Sequence, residues 1–272
     1  MTKTTLVLGG TGKTGRRIVQ RLTARGLPVR AGSRSGEPPF DWGDESTWAP
    51  ALREVTAAYI VYYPDLVMPS AAPAIRAFAA RAVDSGVGRL VLLSGRGEEE
   101  THASEQAVRE SGADWTILRA SWFAQNFSED FLLEPVLSGE IALPAGDVPE
   151  PFVDAEDIAD VAVAALTADS HAGQIYELTG PRLLSFGDAA DEISEAAGRE
   201  LRYVPVSPEQ YASVLAEHIP AEYVAMLAEM FTRVLDGRNA HLTDAVERAS
   251  GRRPRDFSQY ARDVAATGIW NR

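Results

Sequence analysis

Gly10, Gly12 and Gly15 stand at the spacing G-x-G-x-x-G, and Gly9 adds the overlapping G-x-x-G-x-x-G. The apolar run Thr4–Leu8 leads into them, and Ile18, Val19 and Leu22 follow at helical spacing. In this context the first glycine permits a tight turn. The second lets the backbone approach a pyrophosphate, and the third lets helix and strand pack closely. The helix N-terminus meets the phosphates with its N–H groups and the positive end of its dipole. Gly9, Gly10, Gly12 and Gly15 are therefore expected to shape a dinucleotide-binding turn. Gly12-Lys13-Thr14 has the ending of a P-loop, but Val7 stands where that motif needs its opening glycine, so a nucleoside-triphosphatase loop is excluded.

A second strand, Leu27–Ala31, ends at Gly32 and is followed by Ser33-Arg34. A site that prefers NAD places an acidic residue there for the ribose 2′-hydroxyl. A hydroxyl beside a guanidinium suits a 2′-phosphate instead, offering charge, a planar fork and an extra donor. The cofactor expected is NADP(H), read by Ser33 and Arg34.

Lysine occurs only as Lys3 and Lys13; arginine supplies the rest of the 26 positive charges. No tyrosine lies between Tyr63 and Tyr176. The Tyr-x-x-x-Lys pair, in which lysine lowers the tyrosine pKa for proton transfer to an alkoxide, is therefore absent. Ser94, closing the strand Arg89–Leu93, stands where the partner serine of such a pair would be, and His102 is the nearest titratable candidate for proton work. Glu98–Glu100 reads as a charged surface loop. Cysteine is absent, and His171, His218 and His241 are scattered, so neither a disulfide nor a metal site is expected.

The elements that must position these residues alternate. Ala57–Tyr63 and Arg89–Leu93 are continuous apolar strands, Asp114–Leu118 is another, and Ala71–Asp84 and Ser104–Ser111 are helices between them. This pattern predicts a Rossmann-like, doubly wound parallel sheet in the α/β class. After about residue 125 the rhythm changes. Ile158–Thr167 and Gln174–Leu178 return to the sheet, and 185–198, 207–217, 220–235 and 239–250 read as helices, with Asp256–Val264 as one more. The expected organisation is a nucleotide-binding domain of residues 1–127 rejoined by 151–180, and a smaller, mostly helical lobe of 128–150 and 181–272.

GGTGKTG, AGSRSG, the string Phe40–Trp48 (FDWGDESTW), Tyr59–Pro64, Trp115–Phe127 and Pro151–Val161 together resemble the NmrA-like, atypical short-chain dehydrogenases. Within them the chain is most similar to the festuclavine/agroclavine dehydrogenases of ergot alkaloid biosynthesis, over nearly its whole length. The resemblance implies an NADPH-dependent reductase of a C=N bond, with Gly10, Thr11, Gly12, Lys13, Thr14 and Gly15 on the phosphates and Asp41 and Trp42 near the adenine. It implies that Tyr62, Tyr63 and Pro64 border the cofactor, as their place after a sheet strand also suggests. Trp122, Phe123 and Asn126 would line the nicotinamide and substrate pocket. The chain departs from the fungal pattern at Thr101–Glu105 and in its acidic Gly95–Glu100 loop.

Ser94, His102 and Tyr63 are thus the catalytic candidates. The competing functions are an NADPH:quinone or azo reductase and a non-catalytic NADP-binding regulator of NmrA type. A net charge of −13 argues against nucleic-acid and anionic-membrane partners and is compatible with a cationic small substrate. The N-terminal apolar run lacks a cleavage site and the length of a membrane span, so a cytoplasmic protein is expected; its expected state is a monomer or homodimer.

Overall fold

The computed structural model describes residues 4–216, Val224 and 231–271. Two compact units emerge. The first comprises Met1–Ala120, Ala155–Leu178 and Asp244–Arg252; the second comprises Ser121–Asp154, Thr179–Thr243 and Arg253–Arg272.

The first unit is a six-stranded parallel sheet in the order β2-β1-β3-β4-β5-β7. Its strands are β1 (Thr4–Leu8), β2 (Val29–Gly32), β3 (Val55–Ile60), β4 (Arg89–Gly95), β5 (Asp114–Ala120) and β7 (Gln174–Leu178). The order reverses at β1, whose neighbours are β2 and β3, so the switch point of a doubly wound sheet lies there. Leu6, Leu8, Ala58, Ile60, Leu90 and Leu92 face one side, under α2 (Trp48–Leu52), α3 (Ala71–Asp84) and α4 (His102–Arg109). The alternate residues face α1 (Lys13–Ala24) and α7 (Ala155–Thr167); Tyr59 on β3 donates its hydroxyl proton to Thr14 on α1 at 2.9 Å.

α1 and α7 pack against each other and share an ionic seam. Arg17 Nε meets Glu156 at 2.6 Å, and Arg21 bonds both Glu156 and Asp160. Arg252, after α10 (Ala245–Ser250), joins the seam through Asp160 and, at 2.6 Å, the fully buried Asp157. Burial pushes the Asp160 carboxyl up, but its bonds to Arg252 and Arg21 pull it further down, to a net position below the usual range.

The second unit holds its own core around Phe127, Phe152, Phe186, Phe257 and Trp270. It contains α5 (Asn126–Glu129), α6 (Leu133–Ser138), α8 (Phe186–Ala197), α9 (Pro208–Leu215) and α11 (Phe257–Ala266). It also contains a two-stranded parallel sheet of β6 (Glu140–Leu143) and β8 (Arg202–Pro205), which the sequence pattern did not announce. The helix expected over 239–250 is confined to Ala245–Ser250, and most of that expected over 220–235 lies outside the described residues. β3 ends at Ile60 rather than Tyr63, so Tyr62 and Tyr63 belong to a loop and not to a strand. Among the described residues no helix is long and apolar enough to cross a membrane.

The seam makes a stability prediction. Arg252→Ala withdraws a cation from a carboxylate with 0% exposure and should cost on the order of 3 kcal/mol. Arg248→Ala breaks an exposed pair with Asp244 and a cation–π contact 5.5 Å from the Tyr176 ring centroid, and should cost about 1 kcal/mol or less. Denaturant midpoints of the two variants give the comparison.

Candidate active site

The glycine loop is shaped by what it leaves out. A Cβ at Gly10 would stand 2.7 Å from the Ala31 Cβ, and one at Gly15 only 2.1 Å from the Gly9 carbonyl oxygen. Gly9 itself has φ +62°, in the left-handed region. Gly10 N–H bonds the Gly32 carbonyl at 3.1 Å and Gly12 N–H bonds that of Gly9 at 2.8 Å, which fixes the loop against β2. Gly12 caps α1 with no side-chain hydrogen bond, so an anionic group can meet the helix end. Thr11 and Gly12 are exposed there, whereas Thr14 is 4% exposed and its hydroxyl serves Tyr59. The cradle fits the pyrophosphate of a dinucleotide, with Thr14 contributing main chain at most.

Beyond β2 the chain turns sharply. The Ser33 carbonyl accepts from Gly36 N–H at 3.0 Å and from Phe40 N–H at 2.9 Å. This turn exposes Arg34, whose guanidinium lies 5.8 Å from the centroid of the Tyr63 ring. Ser33 is partly buried, 3.4 Å from Ser35 between hydroxyl oxygens. Arg34 and Tyr63 thus come together from the loops after β2 and β3.

The FDWGDESTW string builds a clamp. Trp42 donates its indole N–H to the Val61 carbonyl at 3.0 Å and packs on Phe40, Trp48, Phe78 and Tyr62. The Asp41 carbonyl accepts from the Trp48 indole at 2.8 Å, and its carboxylate accepts from Gly43 N–H at 2.9 Å. Of the two expected adenine neighbours, Trp42 is therefore engaged in holding the loop to the end of β3 and Asp41 in shaping the loop itself. Tyr62 turns into this cluster and donates to Ser70 at 3.1 Å, while Tyr63 is 71% exposed and Pro64 is exposed beside it.

Ser94 is 5% exposed at the carboxyl end of β4, and its hydroxyl donates to Glu105 at 2.7 Å. Arg119 on β5 holds the same carboxylate through Nε at 2.9 Å and a terminal nitrogen at 2.6 Å. Arg96, 3% exposed, pairs with Glu177 at 3.2 Å nearby. His102 is exposed at the start of α4. Glu105, Arg119, Arg96 and Glu98 are the residues that sequence reasoning missed; a cue available for the first was its place on an otherwise buried helix face, beside Ser104 and Val108. Glu98, read as part of a solvated run, is instead partly buried, and burial followed by repulsion from Asp65 pushes its carboxyl up to about 7.

Trp122, Phe123 and Asn126 lie in the second unit. The Trp122 ring packs on Phe231 at 5.3 Å and Phe186 at 5.5 Å, and its buried indole N–H has no hydrogen-bond partner. Phe123 bridges to Val153, and Asn126 begins α5. Among the described residues no group of histidines and carboxylates is arranged to hold a metal ion.

Sheet, switch point and glycine cradle define a dinucleotide-binding protein of Rossmann type. The NAD(P)H-binding family description matches residues 9–169, and that of the NmrA-like family matches residues 99–261. The chain belongs to the NmrA-like family. It is 35% identical to the uncharacterized oxidoreductase YesF of Bacillus subtilis, with 97% of each chain covered. It is 33% identical to agroclavine dehydrogenase of Claviceps fusiformis, with 96% of each covered. The triphenylmethane reductase of a Citrobacter species, solved with NADP(H), superposes with a TM-score of 0.77 at 20% identity, covering 96% of this chain and 99% of that one.

Arg34 at the end of β2 sets a cofactor prediction. Losing one charge-assisted contact to a 2′-phosphate costs roughly 1.5–3 kcal/mol. Arg34→Ala should weaken NADPH binding about ten- to a hundredfold and leave NADH binding nearly unchanged. Titration of each cofactor by fluorescence checks this; equal losses would show that Arg34 supports the loop and does not read the phosphate.

Proposed function

We propose that the protein is an NADPH-dependent reductase of carbon–nitrogen double bonds in small molecules. The observation that carries this reading is the fate of the Ser94 hydroxyl. In a carbonyl reductase a serine here would donate to the developing oxyanion, alongside a tyrosine tuned by lysine. Ser94 gives its proton to Glu105 at 2.7 Å, and Glu105 is fixed by Arg119. The chain has no Tyr-x-x-x-Lys pair and only Lys3 and Lys13 to build one from.

Reduction of a ketone builds negative charge that needs such donors. An iminium starts positive and ends neutral, so the missing donors cost it nothing. NADPH supplies the hydride. The protein's share is to orient the acceptor carbon and exclude water. Arg34 and Ser33 hold the 2′-phosphate side, and the glycine cradle holds the pyrophosphate. Within the second unit we assign substrate contact to Trp122, Phe123 and Asn126, where the Trp122 indole N–H has no hydrogen-bond partner. The similarity to agroclavine dehydrogenase supports an alkaloid-like nitrogen compound as the substrate class.

The test compares a cyclic iminium with the matching ketone. Purified protein should oxidise NADPH with the iminium and show little turnover of the ketone. Faster turnover of the ketone, or consumption of quinones with no reduction of any C=N compound, would overturn the assignment.

A further inference from the structure

The carboxylate of Glu98 rests on the end of the central strand β4. It fills the space a side chain at Gly95 would need: a Cβ there would fall 1.9 Å from Glu98 Oε2. The turn beneath it is held by a chain of bonds. Thr101 donates its N–H at 3.2 Å and its hydroxyl at 2.7 Å to the Glu98 carbonyl. Ser94 Oγ lies 3.1 Å from Thr101 Oγ1 and donates to Glu105, which Arg119 grips from β5.

We infer that Glu98 gives a proton to the nitrogen of a neutral imine substrate, and that Ser94 and Thr101 are positioning residues that hold the turn carrying it. The inference rests on the C=N reading above. In a doubly wound sheet the ligand lies outside the carboxyl ends of the strands at the switch point. Ser33 and Arg34 mark the adenosine side at β2. The reacting end therefore belongs on the other side of β1, over β3 and β4, where Asp65 and Glu98 follow their strands.

The surroundings suit the task. Burial and the facing charge of Asp65 keep a proton on Glu98 up to about pH 7, where a solvated glutamic acid has lost it. Asp65 faces it from the loop after β3, with its carboxylate accepting the Val67 N–H at 3.0 Å. Glu99 and Glu100, on the same turn as Glu98, are exposed. In the step the carboxyl O–H bond breaks and an N–H bond forms, leaving an iminium beside the Glu98 carboxylate. The hydride from NADPH forms the new C–H bond, and the π pair of C=N becomes the nitrogen lone pair. Glu98 recovers its proton from water.

The experiment uses 3,4-dihydroisoquinoline, which needs a proton, and its N-methyl iminium salt, which does not, at about pH 7 with NADPH, where Glu98 still carries its proton in part. Glu98→Gln should lower kcat on the imine about 10²- to 10⁴-fold relative to its rate on the iminium salt. Gly95→Ala, which pushes the carboxylate off its seat, should lower the same ratio, and Ser94→Ala should lower it with KM unchanged.

A readout without turnover accompanies these. The folded-state pKa of about 7 lies above the ordinary 4.5, so the stability tied to this proton is full below about pH 4.5 and is lost as pH rises through 7. Glu98→Gln removes that loss, and its melting temperature relative to wild type should climb across this window. An equal fall on both substrates, or a melting difference that stays flat with pH, would overturn the role of Glu98 and leave the C=N assignment standing. Failure of the wild type to reduce either substrate would overturn both.

Discussion

A Cβ atom at Gly15 would stand 2.1 Å from the carbonyl oxygen of Gly9, so α1 can begin where it does only because none is there. This contact of backbone on backbone sets the distance between the first helix and the first strand, and much else follows from it. It brings Thr14 within reach of Tyr59 on the neighbouring strand. It aims the uncapped helix end at the mouth of the loop. It also places Arg17 and Arg21 along the α7 face, where Glu156 and Asp160 meet them. The nucleotide cradle and one face of the sheet are thus consequences of a single steric allowance.

The carboxyl end of the sheet is finished by loops that the core itself holds. Trp42, anchored on the Val61 carbonyl and packed among Phe40, Trp48, Phe78 and Tyr62, converts a long loop after β2 into a rigid wall. On the next strand the same result is reached with polar groups. Arg119, Glu105, Ser94 and Thr101 form a connected network, and a network with every member satisfied can be buried without the cost of an unpaired charge. The position at which a short-chain carbonyl reductase would carry a proton-relaying serine is thereby occupied by structure. The chemistry is left to groups that stand on the network, and this is the physical basis for favouring an acceptor that needs little help from hydroxyl donors.

Much of this was legible in the residues. The spacing of Gly10, Gly12 and Gly15 between an apolar strand and an amphipathic helix specified the cradle, since each glycine answers a local steric demand. Continuous apolar runs specified parallel, doubly covered strands, and Ser33-Arg34 marked the end of β2. Other features were hidden for definable reasons. AAYIVYY read as one strand to Tyr63, but the strand stops at Ile60, where its pairing with Leu92 ends, and Tyr62 is drawn into the aromatic cluster. EIAL and RYVP are short segments far apart in the chain, so only their pairing makes them strands.

The sequence by itself determined the fold class and the glycine turn, because these rest on local spacing and on the period of apolar residues, and the family, because whole motif strings carry the resemblance. The tertiary structure decided which charged and hydroxyl groups are chemically distinct. Glu98 and Glu105 sit in similar acidic, outwardly unremarkable stretches of sequence. One becomes the buried counter-ion of Arg119, and the other is partly buried over Gly95 with Asp65 facing it. Those differences arise from desolvation and from neighbours contributed by other strands, and neither is encoded in the type of a residue or in its spacing along the chain.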